Sequence, residues 1–161
     1  MALLDWTFSH TAGVGGSITL DAAIKYAGNS SCKIYSGSAN GSINSTTRNT
    51  FSASQAQVIF WVYSPSLTST NINAKLSTYG YLSCTPALIN TWENWRISFW
   101  YDAVNDIKWG RREKWVAGAW AQQGTDTNMG AGSPSAGSIA FTIENSDAGK
   151  YHYIDEVEVY S

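Results

Sequence analysis

Lys150-Tyr151-His152-Tyr153-Ile154-Asp155-Glu156-Val157-Glu158-Val159-Tyr160-Ser161 alternates apolar and acidic residues almost without interruption. Period-two alternation describes a strand with one buried and one wet face. On a regular strand Tyr153, Asp155, Val157 and Val159 share one side, and Ile154, Glu156, Glu158 and Tyr160 share the other. Asp155 is the anomaly, because it falls in a row with two valines. Desolvating a bare carboxylate is very costly, so Asp155 requires a partner. Loop amides or a metal ion are the two candidates.

Working outward, short runs of aromatic and β-branched residues recur between clusters of Gly, Asn, Ser and Asp. They are Ala2–Phe8, Ser17–Ala23, Ser31–Ser36, Ser42–Thr50, Gln57–Tyr63, Asn71–Thr78, Arg96–Asp102, Lys108–Ala119, Ser138–Glu144 and Tyr151–Tyr160. About ten short strands with no helical period predict an all-β, antiparallel two-sheet sandwich of jelly-roll type. The chain of 161 residues fits a single domain spanning 1–161. In Gln57–Tyr63, Val58, Phe60 and Val62 form one apolar row, and Ile59, Trp61 and Tyr63 form the opposite one. In Trp95–Tyr101, the residues Trp95, Ile97, Phe99 and Tyr101 are expected in the core, which sends Trp100 to the other face. The Gly-, Ser- and Thr-rich stretch from Gln122 to Gly137 is expected to be a long loop, and 64–70 a shorter polar turn.

Charged residues make up 14% of the chain, against about 25% in an average soluble protein. Hydroxyls and amides must supply the surface polarity instead. A net charge of −2 gives no electrostatic basis for nucleic acid or an anionic membrane. No apolar run approaches the roughly 20 residues of a membrane-spanning helix. Met1-Ala2-Leu3-Leu4-Asp5 lacks the basic start and apolar middle of a signal peptide. Either the chain is a recombinant piece with an added Met, or it reaches an extracellular or virion-surface location without classical secretion, release of virus particles by lysis being one route. The cluster Arg111-Arg112-Glu113-Lys114 is read as a solvated strand face. Cys32 is expected as a buried free thiol, with a Cys32–Cys84 bridge as the alternative.

Several segments resemble the jelly-roll carbohydrate-binding modules of the galactose-binding-like superfamily. They are Tyr26-Ala27-Gly28-Asn29-Ser30-Ser31-Cys32-Lys33-Ile34, Val58-Ile59-Phe60-Trp61-Val62-Tyr63-Ser64-Pro65, Asn94-Trp95-Arg96-Ile97-Ser98-Phe99 and Tyr153-Ile154-Asp155-Glu156-Val157. The resemblance implies a structural calcium ion held by Asp155, with Asp5 and the carbonyl region of Gly28 as further ligands. It also departs from the family pattern, since Ser9 stands where an acidic ligand is common, and calcium takes six to eight oxygens.

Eight Trp and nine Tyr are the second clue to function. Sugar rings stack C–H patches on flat aromatic faces while their hydroxyls bond to amides, carboxylates and guanidinium groups. Trp61, Tyr63 and Trp100 are the expected platforms, because alternation places them opposite the core rows. Trp109, Trp115 and Trp120 are further options, with Arg111 and Gln122 as polar neighbours. Trp6 and Trp95 are expected to be structural. Catalysis is not expected. His10 and His152 lack a nucleophile pattern, no zinc spacing occurs, and Tyr151, His152 and Arg112 are the residues a lyase of this fold would draw on. The expected function is a non-catalytic, lectin-like module that binds a polysaccharide or cell-surface glycan through exposed aromatic residues. The alternative is a virus or phage structural protein, a capsid decoration or fibre-head protein that oligomerises and contacts other virion proteins.

Overall fold

Alternation along Gln55–Tyr63 builds the centre of the molecule. Val58, Phe60 and Val62 are completely buried, whereas Ile59, Trp61 and Tyr63 between them are only half-buried. The neighbouring strand repeats the pattern, with Trp95, Ile97 and Phe99 buried. Each such side chain contributes about 1.5–3 kcal/mol by leaving water. A computed structural model gives these coordinates and describes residues 6–7, 17–35, 41–45, 54–65, 72–76, 79–134, 141–145 and 149–160.

The described residues form thirteen strands: β1 (Trp6–Thr7), β2 (Ser17–Asp21), β3 (Ser31–Tyr35), β4 (Gly41–Ser45), β5 (Gln55–Tyr63), β6 (Ile72–Leu76), β7 (Gly80–Cys84), β8 (Trp92–Asp102), β9 (Ile107–Val116), β10 (Ala119–Gln122), β11 (Thr127–Ala131), β12 (Phe141–Asn145) and β13 (Tyr151–Tyr160). One sheet has the order β1-β4-β12-β6-β7; the other runs β10-β9-β8-β5-β13-β3-β2, with β11 also paired to β9. All these strand pairs are antiparallel. Ile72, Ala74, Leu76, Leu82 and Cys84 of the first sheet meet Ile34, Val58, Phe60, Ile97 and Phe99 of the second in a shared core. The all-β sandwich expected from the alternation is the architecture found. At one point the sheets approach closely: a Cβ on Gly110 would lie 2.7 Å from Leu82 Cδ1 and would push that side chain aside.

Ten strands coincide with the ten runs read from sequence, and β7, β10 and β11 are additional. β10 and β11 correct the expectation of an unbroken loop from Gln122 to Gly137. Thr127–Ala131 lacks apolar periodicity, yet its backbone pairs with β9, Thr127 opposite Gly110 and Asn128 opposite Trp109. The charged cluster on β9 is also corrected. Strand alternation divides it, with Arg111 and Glu113 on the outer face and Arg112 and Lys114 on the inner one, and none of the four is fully exposed. Cys32 and Cys84 are buried free thiols in different sheets. Burial pushes the Cys32 thiol up to about 12 and raises Cys84 as well.

The face assignment on β13 needs the largest correction. Tyr153 pairs with Tyr63 and Asp155 with Trp61, but Glu158 then pairs with Ile59 and Tyr160 with Gln57. A β-bulge at Glu156, whose φ is +45°, absorbs the extra residue. Tyr153, Asp155, Glu158 and Tyr160 therefore share the outer face, and Asp155 does not sit in a valine row. Asp5, Ser9 and His10 lie outside the described residues.

Candidate functional site

The outer face of the larger sheet carries polar and aromatic residues in cross-strand rows. Register places Tyr160, Gln57, Ser98 and Arg111 side by side across β13, β5, β8 and β9. On one flank the next row is Gln55, Trp100, Trp109 and Asn128; on the other it is Glu158, Ile59, Arg96, Glu113 and Gln122. Between these flanks lies an open cleft. Its larger part, about 350 Å³, is lined by Gln55, Gln57, Ser98, Trp100 and Tyr160. A second part, about 290 Å³, continues over Arg96, Arg111 and Glu113 and shares Gln57, Ser98 and Trp100. Four strands at the usual spacing of about 4.8 Å give the floor row a length of about 14 Å.

Each functional side chain is held by its neighbours. The Trp100 and Trp109 rings are nearly parallel, with centroids 6.5 Å apart and planes inclined by 16°. The Arg111 guanidinium lies 5.4 Å from the Trp100 ring centre, and that of Arg96 lies 4.6 Å from Trp120. Arg96 donates from Nε and one terminal nitrogen to the two Glu113 oxygens, both at 2.7 Å. Arg111 makes the same two-bond pair with Asp126, again at 2.7 Å, and Gln122 donates to Asp126 at 2.8 Å. The hydrogen bond from Arg111 is the main reason Asp126 is held below the usual carboxylate range. On the floor, Gln57 Nε2 donates to Ser98 Oγ at 2.9 Å. Tyr160 is hydrogen-bonded to Glu158 at the far wall.

Trp100, Trp109, Arg111 and Trp120 are thus brought to one region, as residues proposed from sequence for a common site. Trp61 and Tyr63 stand on the same sheet face, but they belong to a neighbouring aromatic group. Tyr26 lies flat on Trp61, with centroids 3.7 Å apart and planes inclined by 15°, so one face of this indole is already covered. Trp92 packs against both Tyr26 and Tyr63, and the Tyr63 hydroxyl donates to Asn90 at 3.1 Å. Sequence reasoning missed Gln57, Ser98 and Tyr160 as floor residues. Alternation put each on an outer face, but only the register of three strand pairs brings them into one row.

The loop that carries Tyr26 also resolves the anomaly of Asp155. Its Oδ2 accepts from the Tyr26 and Ala27 amides at 2.8 and 3.1 Å, and its Oδ1 accepts from the Glu156 amide at 2.8 Å. Three N–H groups satisfy the buried carboxylate and direct their positive ends at it. Such a shell suits a hydrogen-bonded anion and fits a calcium ligand poorly, because a cation would sit among donors instead of oxygens. Among the described residues no three His, Cys, Asp or Glu side chains gather as a metal site. Gly28, at φ +63°, shapes the loop beside these amides.

Tyr151, His152 and Arg112 do not converge. Tyr151 is exposed, whereas His152 is buried and its Nδ1 lies 2.8 Å from Ser64 Oγ. Arg112 donates to the Gln123 and Ser83 carbonyls on the inner side of β9.

The sequence matches no family model, and no curated protein is significantly similar to it. Solved structures do share its architecture. A family 16 carbohydrate-binding module aligns over 97% of this chain and 90% of its own, with 10% identity and a TM-score of 0.51. The fold is a jelly roll. The alginate lyase vAL-1 from Chlorella virus aligns over 91% of this chain and 89% of its own, with 9% identity and the same TM-score of 0.51. TmCBM61, solved in complex with β-1,4-galactotriose, aligns over 96% and 87%, with 13% identity and a TM-score of 0.47. The family 16 module and the lyase thus share this architecture, and the site must decide function. Among the described residues, no helix is long and apolar enough to cross a membrane.

Proposed function

We propose that the protein is a non-catalytic module that binds a polysaccharide across the outer face of its larger sheet. The observation that carries this reading is the cleft itself. It has a floor of Gln57, Ser98 and Tyr160, a wall of Trp100 backed by Trp109, and length for several sugar units along one cross-strand row. Indole faces accept the C–H patches of pyranose rings, and amide, hydroxyl and guanidinium groups meet the ring hydroxyls. These groups are anchored by strand pairing, so binding needs little rearrangement. An extracellular or surface-attached setting follows from such a ligand.

Affinity electrophoresis in gels containing soluble polysaccharides tests the proposal. Retardation by at least one polymer is expected, and Trp100→Ala is expected to weaken it by about five- to 150-fold, taking the roughly 1–3 kcal/mol of base–aromatic stacking as the scale for a ring on an indole. Wild-type mobility unchanged in every polymer refutes the reading.

One surface feature favours the virion alternative. Trp115 and Val116 are 44% and 46% exposed at the end of β9, and exposed Trp is typical of protein contacts. Assembly into trimers or larger rings in light scattering, together with failure to bind any polysaccharide, supports that alternative.

A further inference from the structure

Charge in the cleft is conspicuous for being spent. Three charged side chains line it, Arg96, Arg111 and Glu113. Arg96 is tied to Glu113 and Arg111 to Asp126, each through two parallel hydrogen bonds of 2.7 Å. The fork of a guanidinium satisfies a carboxylate best in this two-bond geometry. In each pair, therefore, the Nε side of the guanidinium already grips a protein carboxylate, and its charge is neutralised before any uronate, sulfate or phosphate arrives. Both guanidinium groups also lie over indole rings, Arg96 over Trp120 and Arg111 over Trp100. Glu158 adds a carboxylate at the wall, in the row of Ile59 and Arg96.

From these contacts we infer that the cleft selects a neutral polysaccharide and rejects polyanionic ones. The inference rests on the polysaccharide-binding reading above and names its substrate class. A neutral sugar accepts hydrogen bonds from Gln57, Ser98 and the remaining N–H groups without breaking either ion pair. An anionic unit finds both guanidinium charges already neutralised: it must either sit on the remaining N–H groups against the field of Glu113 or Asp126, or displace one of those carboxylates and leave it unpaired, and it also meets the field of Glu158. Removing one partner of a charge-assisted pair leaves the other to bear its desolvation. The chain's net charge of −2 offers no long-range compensation.

The test compares neutral polymers (xylan, β-1,4-galactan, mixed-linkage β-glucan) with polygalacturonate and alginate at low ionic strength. Wild type is expected to be retarded by a neutral polymer and to migrate freely in both acidic ones. Asp126→Asn removes the carboxylate that occupies Arg111. It is expected to raise affinity for polygalacturonate by about tenfold or more, and added salt should abolish the gain. Glu113→Gln provides a second variant that frees Arg96, and circular dichroism confirms that each variant is folded. Wild-type retardation by an acidic polymer that exceeds retardation by every neutral one, and that Trp100→Ala removes, overturns the neutral-ligand inference and leaves polysaccharide binding intact. Neutral binding with no acidic gain in either folded variant overturns the role given to the ion pairs. No retardation by any polymer, neutral or acidic, overturns the binding reading and this inference with it.

Discussion

Asp155 shows how one residue ties distant parts of the chain together. Its carboxylate collects amides from Tyr26 and Ala27, more than a hundred positions earlier, and from Glu156 beside it. Asp155→Asn keeps the shape but turns one acceptor into a donor facing an N–H group. Thermal or urea unfolding is expected to show a loss of about 1–3 kcal/mol. Because three amides already engage the carboxylate, EDTA is expected to leave the melting temperature of the wild type unchanged. A fall on chelation that calcium reverses would restore the metal-holding role implied by the family resemblance.

At the scale of elements, the hairpin joining β9 to β10 departs from local preference. Val116 pairs with Ala119, which leaves a two-residue loop of Ala117 and Gly118 with φ of +50° and +85°. Positive φ at both positions is the signature of a type I′ turn, which favours Asn-Gly. Ala117 carries a Cβ into the left-handed region, where an ordinary residue loses roughly 1–2 kcal/mol. Ala117→Asn is expected to recover part of that amount, raising the denaturant midpoint with no change in the slope of the transition. The bulge in β13 is a second departure, and it has a purpose in the architecture. It aligns Glu158 and Tyr160 with the cleft while keeping Ile154 buried. Alternation written through Glu156 hid this, because a bulge inserts a residue without changing the apolar pattern on either side of it.

The molecule as a whole has one core shared by two sheets. Leu82 and Cys84 from β7 belong with Phe60 from β5 and Phe99 from β8 to one buried cluster that draws on both sheets. Unfolding is therefore expected as a single cooperative transition, with calorimetric and van't Hoff enthalpies that agree. Two separated transitions would contradict a shared core. The same two-layer arrangement leaves the outer face of the larger sheet free to hold the cleft. The Tyr26 loop covers that face around Trp61, and the region of Trp100 and Trp109 stays open.

The ten apolar runs were enough to determine the all-β sandwich, the buried rows of Val58–Val62 and Trp95–Phe99, and the outward position of Trp61, Tyr63 and Trp100. Each follows from local alternation, which is a property of neighbouring residues. The partners of those side chains were not legible. Arg111 and Asp126, Arg96 and Glu113, Tyr26 and Trp61, and the row of Tyr160, Gln57, Ser98 and Arg111 are all brought together by strand register and by a loop that folds across a sheet. Register is fixed by long-range backbone pairing and shifts by one residue at each bulge. The tertiary structure alone therefore decided which aromatic rings stay open, which charges are already paired, and where on the sheet a ligand can lie.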